Sequence, residues 1–162
     1  MTSTENKKLF TFQLLAVGGS ASFFGVMLTI GLGLGRYWLD LEPLVFAQWF
    51  TDYFLLLLPC VTLVLLPAFI GVIGALLMRK SYSVEYKWWK IALIGLSVAS
   101  LVTVVYHLPA NFRIWSLDQS PAEVTTELNR WLILHVVRIA ASLVATYAAF
   151  RASFEMATNS KK

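Results

Sequence analysis

Residues 53–78 read YFLLLLPCVTLVLLPAFIGVIGALLM and contain no charged side chain. A helix rises about 1.5 Å per residue, so a segment of this length can cross the roughly 30 Å hydrocarbon core of a bilayer. No water is present there to satisfy backbone polar groups, and a helix satisfies its own within a single segment. This stretch therefore predicts a transmembrane helix.

Three further apolar segments, at residues 9–35, 91–108 and 131–150, are also close to the length needed to span. Because the connecting loops are short, we expect an all-α fold, an antiparallel four-helix transmembrane bundle in up-down-up-down order. The bundle forms one domain over residues 1–162. A capping box, Ser120-Pro121-Ala122-Glu123, predicts that the fourth helix starts near residue 121, outside the membrane.

The composition supports this interpretation, since 58% of the residues are hydrophobic and only 14% are charged. A soluble domain of this size would need a more charged surface. The net charge of +4 does not indicate nucleic-acid binding, because the basic residues lie beside the apolar segments. One cysteine, Cys60, excludes an intrachain disulfide and a cysteine-based metal site, and we expect it to be buried.

The basic residues also predict an orientation. The positive-inside rule places both termini and the second loop in the cytoplasm, in an integral membrane protein most typical of a bacterial inner membrane. The first and third loops are more acidic and would face the other side. The basic residues of the cytoplasmic side are Lys7, Lys8, Arg79, Lys80, Lys87, Lys90, Arg151, Lys161 and Lys162.

Two histidines and one arginine stand out against this apolar background. His107 ends the third segment, whereas His135 and Arg138 lie inside the fourth. Trp131, His135, Arg138 and Ser142 share one helical face, which should point into the bundle because an arginine facing lipid is costly. Ionisable residues at membrane depth suggest a functional site, although a structural hydrogen bond at His135 and carbonyl contacts at Arg138 would also explain them.

The end of the third segment adds more polar and aromatic residues. A pocket covered by the third loop would bring them close to His135. Taken alone, Tyr106 and Trp115 are more typical of anchors at the membrane interface than of catalytic residues. The candidate catalytic residues are His135, Arg138, Asn111 and His107, and the candidate substrate-binding residues are Trp131, Trp115, Arg113 and Tyr106.

Two motifs carry a resemblance to a known family. They are Pro109-Ala110-Asn111 after the third segment and a Trp-x-x-x-His-x-x-Arg element, residues 131–138, on the fourth. With the lengths and order of the four segments, they make the chain resemble small four-helix membrane proteins related to fungal anthrone oxygenases, most of which have no known activity. Family members often carry an asparagine where this chain has His107.

The resemblance implies that O₂ oxidises an anthrone-like phenolic substrate to a quinone without an evident cofactor. In this scheme His135 would be the base, and Arg138 and Asn111 would hold the oxyanion. Trp131 would stack on the substrate. His107 would be a second base or a proton relay.

Three other functions stay open at this point. The chain fits an accessory subunit of a larger membrane complex, a haem- or quinone-binding electron-transfer protein, or, less well, a transporter. We predict no cofactor and no metal, although the two histidines leave haem or a metal as an alternative. The expected partners are lipid, a small aromatic substrate and O₂, and the glycine-rich first segment fits a homo-oligomer or a larger complex.

Overall fold

Four long helices make up the part of the chain that the structure describes, which confirms the predicted all-α class. The computed structural model of the chain describes residues 3–78 and 83–159, and within these ranges there is no strand. All four helices are long and apolar enough to cross a membrane, as expected of an integral membrane protein. We label them α1 (Ser3–Leu39), α2 (Pro43–Leu77), α3 (Val84–Trp115) and α4 (Pro121–Asn159).

Local sequence signals account for the starts of three helices. At α4, the Ser120 backbone N–H donates to Glu123 Oε2 at 2.8 Å, and the Glu123 N–H donates to Ser120 Oγ at 3.4 Å. This reciprocal pair satisfies two groups that a helix start leaves without partners. At α3, Ser83 Oγ accepts from the Tyr86 N–H at 3.3 Å. Proline occupies the first turn of α2 at position 43.

The helices do not all pack equally closely. The α1–α2 and α3–α4 pairs are tight, α4 also lies against α1, and contacts between α2 and α3 are sparse. A Cβ atom at Gly19 of α1 would lie 2.5 Å from the Ala68 backbone nitrogen of α2. One at Gly95 of α3 would lie 2.7 Å from the Ala141 carbonyl oxygen of α4. Glycine thus permits the backbone approach that dispersion forces require in lipid.

A cluster of aromatic rings joins α1, α2 and α4. Trp38 of α1 is fully buried, and its ring centroid lies 5.5 Å from that of Trp131 and 5.7 Å from that of Phe50. Both contacts have the edge-to-face geometry that aromatic quadrupoles favour. The cluster fixes Trp131, and with it the start of the polar face of α4.

The expected burial of Cys60 is wrong. The cysteine is exposed, and its thiol donates to the Leu56 carbonyl oxygen on the same helix. From residue 53 onward α2 has no charged residue and is apolar on nearly all sides, so its sequence has no periodicity that would mark an inner face. Four basic residues used for the orientation, Arg79, Lys80, Lys161 and Lys162, lie outside the described residues. The up-down order and the orientation stay predictions.

Candidate functional site

Two π-helical turns lie beside the polar residues. One spans Thr29–Leu34 within α1, and the other spans Thr103–His107 within α3. In the second, the Leu108 N–H bonds to the Thr103 carbonyl five residues earlier. Such a turn interrupts the ordinary hydrogen-bond ladder, so carbonyl groups near its start can accept from other donors. π turns of this kind are frequent at functional sites.

His135 is buried and uses both ring nitrogens. Nε2 lies 2.9 Å from the carbonyl oxygen of Met27, two residues before the π turn of α1. Since a carbonyl only accepts, Nε2 carries the proton and Nδ1 of the neutral ring is an acceptor. Arg138 Nη1 donates to that Nδ1 at 3.3 Å. His135 therefore has no lone pair left for a substrate in this arrangement.

His107 is also buried, but one of its ring nitrogens is unused. Nδ1 lies 3.3 Å from the carbonyl oxygen of Val102, which directly precedes the π turn of α3. Nε2 is buried and forms no hydrogen bond of acceptable geometry among the described residues, although the backbone carbonyl of Trp131 lies close to the ring. With the proton of the neutral ring on Nδ1, Nε2 presents a bare lone pair.

Arg138 is 4% exposed and carries a charge that no carboxylate of the described residues neutralises. Within residues 3–78 and 83–156 it forms no ion pair, and its Nε has no hydrogen-bond partner. Its one polar contact there is the neutral ring of His135. A buried cation without a counter-ion is costly, so an anionic or strongly polar ligand beside it would be stabilised.

Trp131 and Asn111 form the remaining polar wall. The indole Nε1–H donates to Asn111 Oδ1 at 2.8 Å, and both residues are buried. Because an indole N–H only donates, the amide oxygen is engaged and the amide nitrogen is the donor that remains. The Trp131 ring stacks on His135 at 4.9 Å and meets the edge of His107 at 4.6 Å.

A cavity of about 220 Å³ brings four of the candidate residues together. His107, Asn111, Trp131 and Arg138 line one part of it, and apolar side chains of α2 line much of the rest. An apolar cavity of roughly 150 Å³ holds a benzene ring, so this one encloses one or two fused rings, and the third ring of an anthrone would lie against the partly exposed apolar residues of α2. His135 lies outside it and borders a separate groove between α1 and α4.

Three other candidate residues are placed elsewhere. Arg113 makes a bidentate ion pair with Glu127, with N–O distances of 3.0 and 2.9 Å. The Tyr106 hydroxyl donates to the same carboxylate at 2.8 Å. Trp115 stacks on Phe112 near the surface. None of the three lines the cavity in the described structure. Glu127 was missed, although its position four residues before Trp131 extends the polar face of α4.

Metal ligands are sparse. The described residues contain no group of three or more histidine, cysteine or acidic side chains that could hold a metal ion. The ring centroids of His107 and His135 are 6.0 Å apart. The expectation that the protein uses neither a metal nor another cofactor stays a prediction.

Fold and site together define a small all-helical membrane protein with an internal cavity that is polar in one part. No protein-family model, curated protein or solved structure matches the chain. The resemblance based on residues 109–111 and 131–138 therefore stays a hypothesis.

Proposed function

We propose that the protein is a membrane oxygenase that uses O₂ to oxidise an anthrone-like phenolic substrate without a cofactor. One observation carries the proposal: the unpartnered His107 Nε2 belongs to a residue that shares an apolar-walled cavity with the uncompensated cation of Arg138. A carbon acid that forms an oxyanion needs a base and a cation in a dry site.

The reaction requires no electrons beyond those of the substrate and O₂. His107 Nε2 removes a proton from the methylene carbon of the anthrone, and the electron pair delocalises onto the ketone oxygen as an oxyanion. The carbanion gives one electron to O₂, and the two radicals combine into a peroxide anion that takes a proton. Loss of the second methylene proton then breaks the O–O bond, and hydroxide leaves. One anthrone and one O₂ thus give one anthraquinone and one water.

The base in this scheme is His107 rather than His135, because both nitrogens of His135 are engaged. Arg138 and the amide nitrogen of Asn111 would stabilise the oxyanion, in agreement with their sequence-based assignment. Trp131 would pack against the aromatic rings of the substrate. His135 is then a positioning residue, which would not contact the substrate but would orient Arg138 through the hydrogen bond at its Nδ1.

Oxygen uptake with anthrone tests the proposal. The protein would be purified in lipid nanodiscs, and empty nanodiscs would give the rate of spontaneous oxidation. We expect one O₂ to be consumed per anthraquinone formed, with one atom of ¹⁸O₂ in the new carbonyl. His107→Gln should lower the rate by about a hundredfold or more, the usual contribution of a general base.

Ser142→Ala is the matched control for this variant. Ser142 is buried on the same face of α4, and its hydroxyl donates to the Ile139 carbonyl within the helix. It should leave the rate unchanged. The proposal fails if the wild-type protein is no faster than empty nanodiscs, or if His107→Gln retains full activity while it elutes as a folded protein.

A further inference from the structure

The cavity is much longer than its polar part. Seven residues of α2 line it, from Phe50 to Leu65, along one stripe of the helix. At about 1.5 Å per residue this stripe is roughly 22 Å long. The stripe consists of Phe50, Phe54, Leu57, Leu58, Val61, Thr62 and Leu65.

The polar residues that line the cavity occupy a shorter length than the stripe on α2. Trp131 and Arg138 are separated by about 10 Å along α4, and His107 and Asn111 by about 6 Å along α3. Thr103 also lines the cavity, but its hydroxyl donates to the Ala99 carbonyl within its own helix at 2.8 Å. A fused ring system bound at the polar part would leave much of the apolar stripe uncovered.

The apolar stripe opens toward the exterior of the bundle, where a membrane protein meets lipid. Leu58 is 39% exposed, and Leu57, Val61 and Leu65 are half-buried. Four residues of α3 also line the cavity, and α2 and α3 pack less closely than the α1–α2 and α3–α4 pairs, so we place the opening between α2 and α3. A molecule dissolved in the bilayer could reach the polar part sideways without crossing water.

We propose that the ligand is an amphiphile taken from the bilayer between α2 and α3: a fused phenolic ring system that carries an apolar chain. Its oxygen lies against Arg138 and Asn111, and its chain follows the stripe on α2. The unpaired cation supplies the charge complementarity for an ionised ring oxygen. The identity of the ring as a substrate rests on the proposed oxygenase function, whereas the path of the chain does not.

Two probes distinguish binding of the ring from binding of the chain: 2-hydroxy-1,4-naphthoquinone and the same compound with a decyl chain at carbon 3. Both are stable and ionise to an oxyanion. Binding would be followed in nanodiscs by quenching of tryptophan fluorescence, with empty nanodiscs for partition and with affinity expressed per lipid. Because a chain is as well solvated in lipid as in the stripe, we expect the two affinities to agree within about threefold.

Val61→Phe narrows the stripe without touching the polar part. Because the chain of a ring bound at the polar part can leave it only along the stripe, the variant should weaken binding of the decyl probe at least tenfold and change binding of the unsubstituted probe by less than twofold. Leu63→Phe is the matched control, because Leu63 is 73% exposed and does not line the cavity. It should alter neither affinity.

Three results overturn the inference: neither probe binds, only the unsubstituted probe binds, or Val61→Phe affects both probes equally. The oxygenase proposal is judged separately. If the decyl probe behaves as expected and anthrone is not oxidised, the amphiphile site stands and the oxygenase fails. If anthrone is oxidised and the decyl probe does not bind, the oxygenase stands and the lateral path fails.

Discussion

The two histidines of the site differ in one hydrogen bond. Each can donate to a carbonyl just before a π turn, Met27 for His135 and Val102 for His107. Arg138 then occupies the second nitrogen of His135, while that of His107 has no partner in the described structure. Residue spacing predicted that both histidines lie in the site. It could not identify the free nitrogen, because the π turns that offer the carbonyls carry no sequence signal.

Gly31 is the residue that lets His135 reach α1. A Cβ atom there would lie 2.9 Å from His135 Cδ2 and 2.7 Å from Ile139 Cδ1, both too close. Gly31→Ala should displace the imidazole from the Met27 carbonyl and destabilise the fold by about 1–3 kcal/mol. The measurement is the temperature at which half of the detergent-purified protein aggregates, which should fall.

Gly33→Ala is the control for this prediction. Gly33 lies in the same π turn, and a Cβ atom added there would meet no neighbouring atom of the described residues within 4 Å. Since alanine favours helix over glycine, the aggregation temperature of this variant should stay the same or rise slightly. Equal losses in both variants would mean that the turn, and not the His135 contact, is sensitive to substitution.

At the scale of elements, the buried face of α4 could be predicted from its sequence, whereas that of α2 could not. The period of 3.6 residues placed Trp131, His135 and Arg138 on one buried face, and the structure buries all three. A helix such as α2, which is apolar both where it contacts protein and where it faces lipid, shows no difference between a polar and an apolar face. For this reason the prediction that Cys60 is buried was wrong, and the stripe of cavity-lining residues on α2 was not predicted.

The ion pair of Glu127 ties the end of α3 to the first turns of α4. Glu127→Gln removes the charge that holds Arg113 and the hydroxyl of Tyr106. Because Arg113 is about half exposed, we expect a loss of about 1 kcal/mol, or about 2–4 °C in Tm. The loss should shrink at high salt.

Asp40→Asn provides the comparison for that variant. Its ion pair with Arg36 spans 3.4 Å, and the two side chains are 75% and 61% exposed for Arg36 and Asp40. Exposed pairs contribute little, so its Tm should not change measurably. A loss at Asp40 as large as that at Glu127 would show that the α3–α4 link has no special role.

For the whole molecule, hydropathy predicted four helices because lipid leaves a spanning chain no other means to satisfy its backbone. It did not predict which helices pack tightly, since that depends on single small residues such as Gly19 and Gly95. The tight pairs leave α2 and α3 loosely joined, and the cavity lies among the four helices with residues of both α2 and α3 in its wall. Composition records neither this uneven packing nor the cavity.

Orientation is the whole-molecule property that the basic residues predict, and cysteine labelling tests it. In a Cys60→Ala background, Ser3→Cys marks the N-terminus and Asp118→Cys marks the α3–α4 loop, and both positions are exposed. In bacterial spheroplasts, whose inner membrane is intact, a membrane-impermeant maleimide should label position 118 and leave position 3 unlabelled until the spheroplasts are lysed. The reverse pattern would place the termini outside the cytoplasm. Labelling of both positions in intact spheroplasts would contradict an odd number of crossings between them, and with it the up-down order.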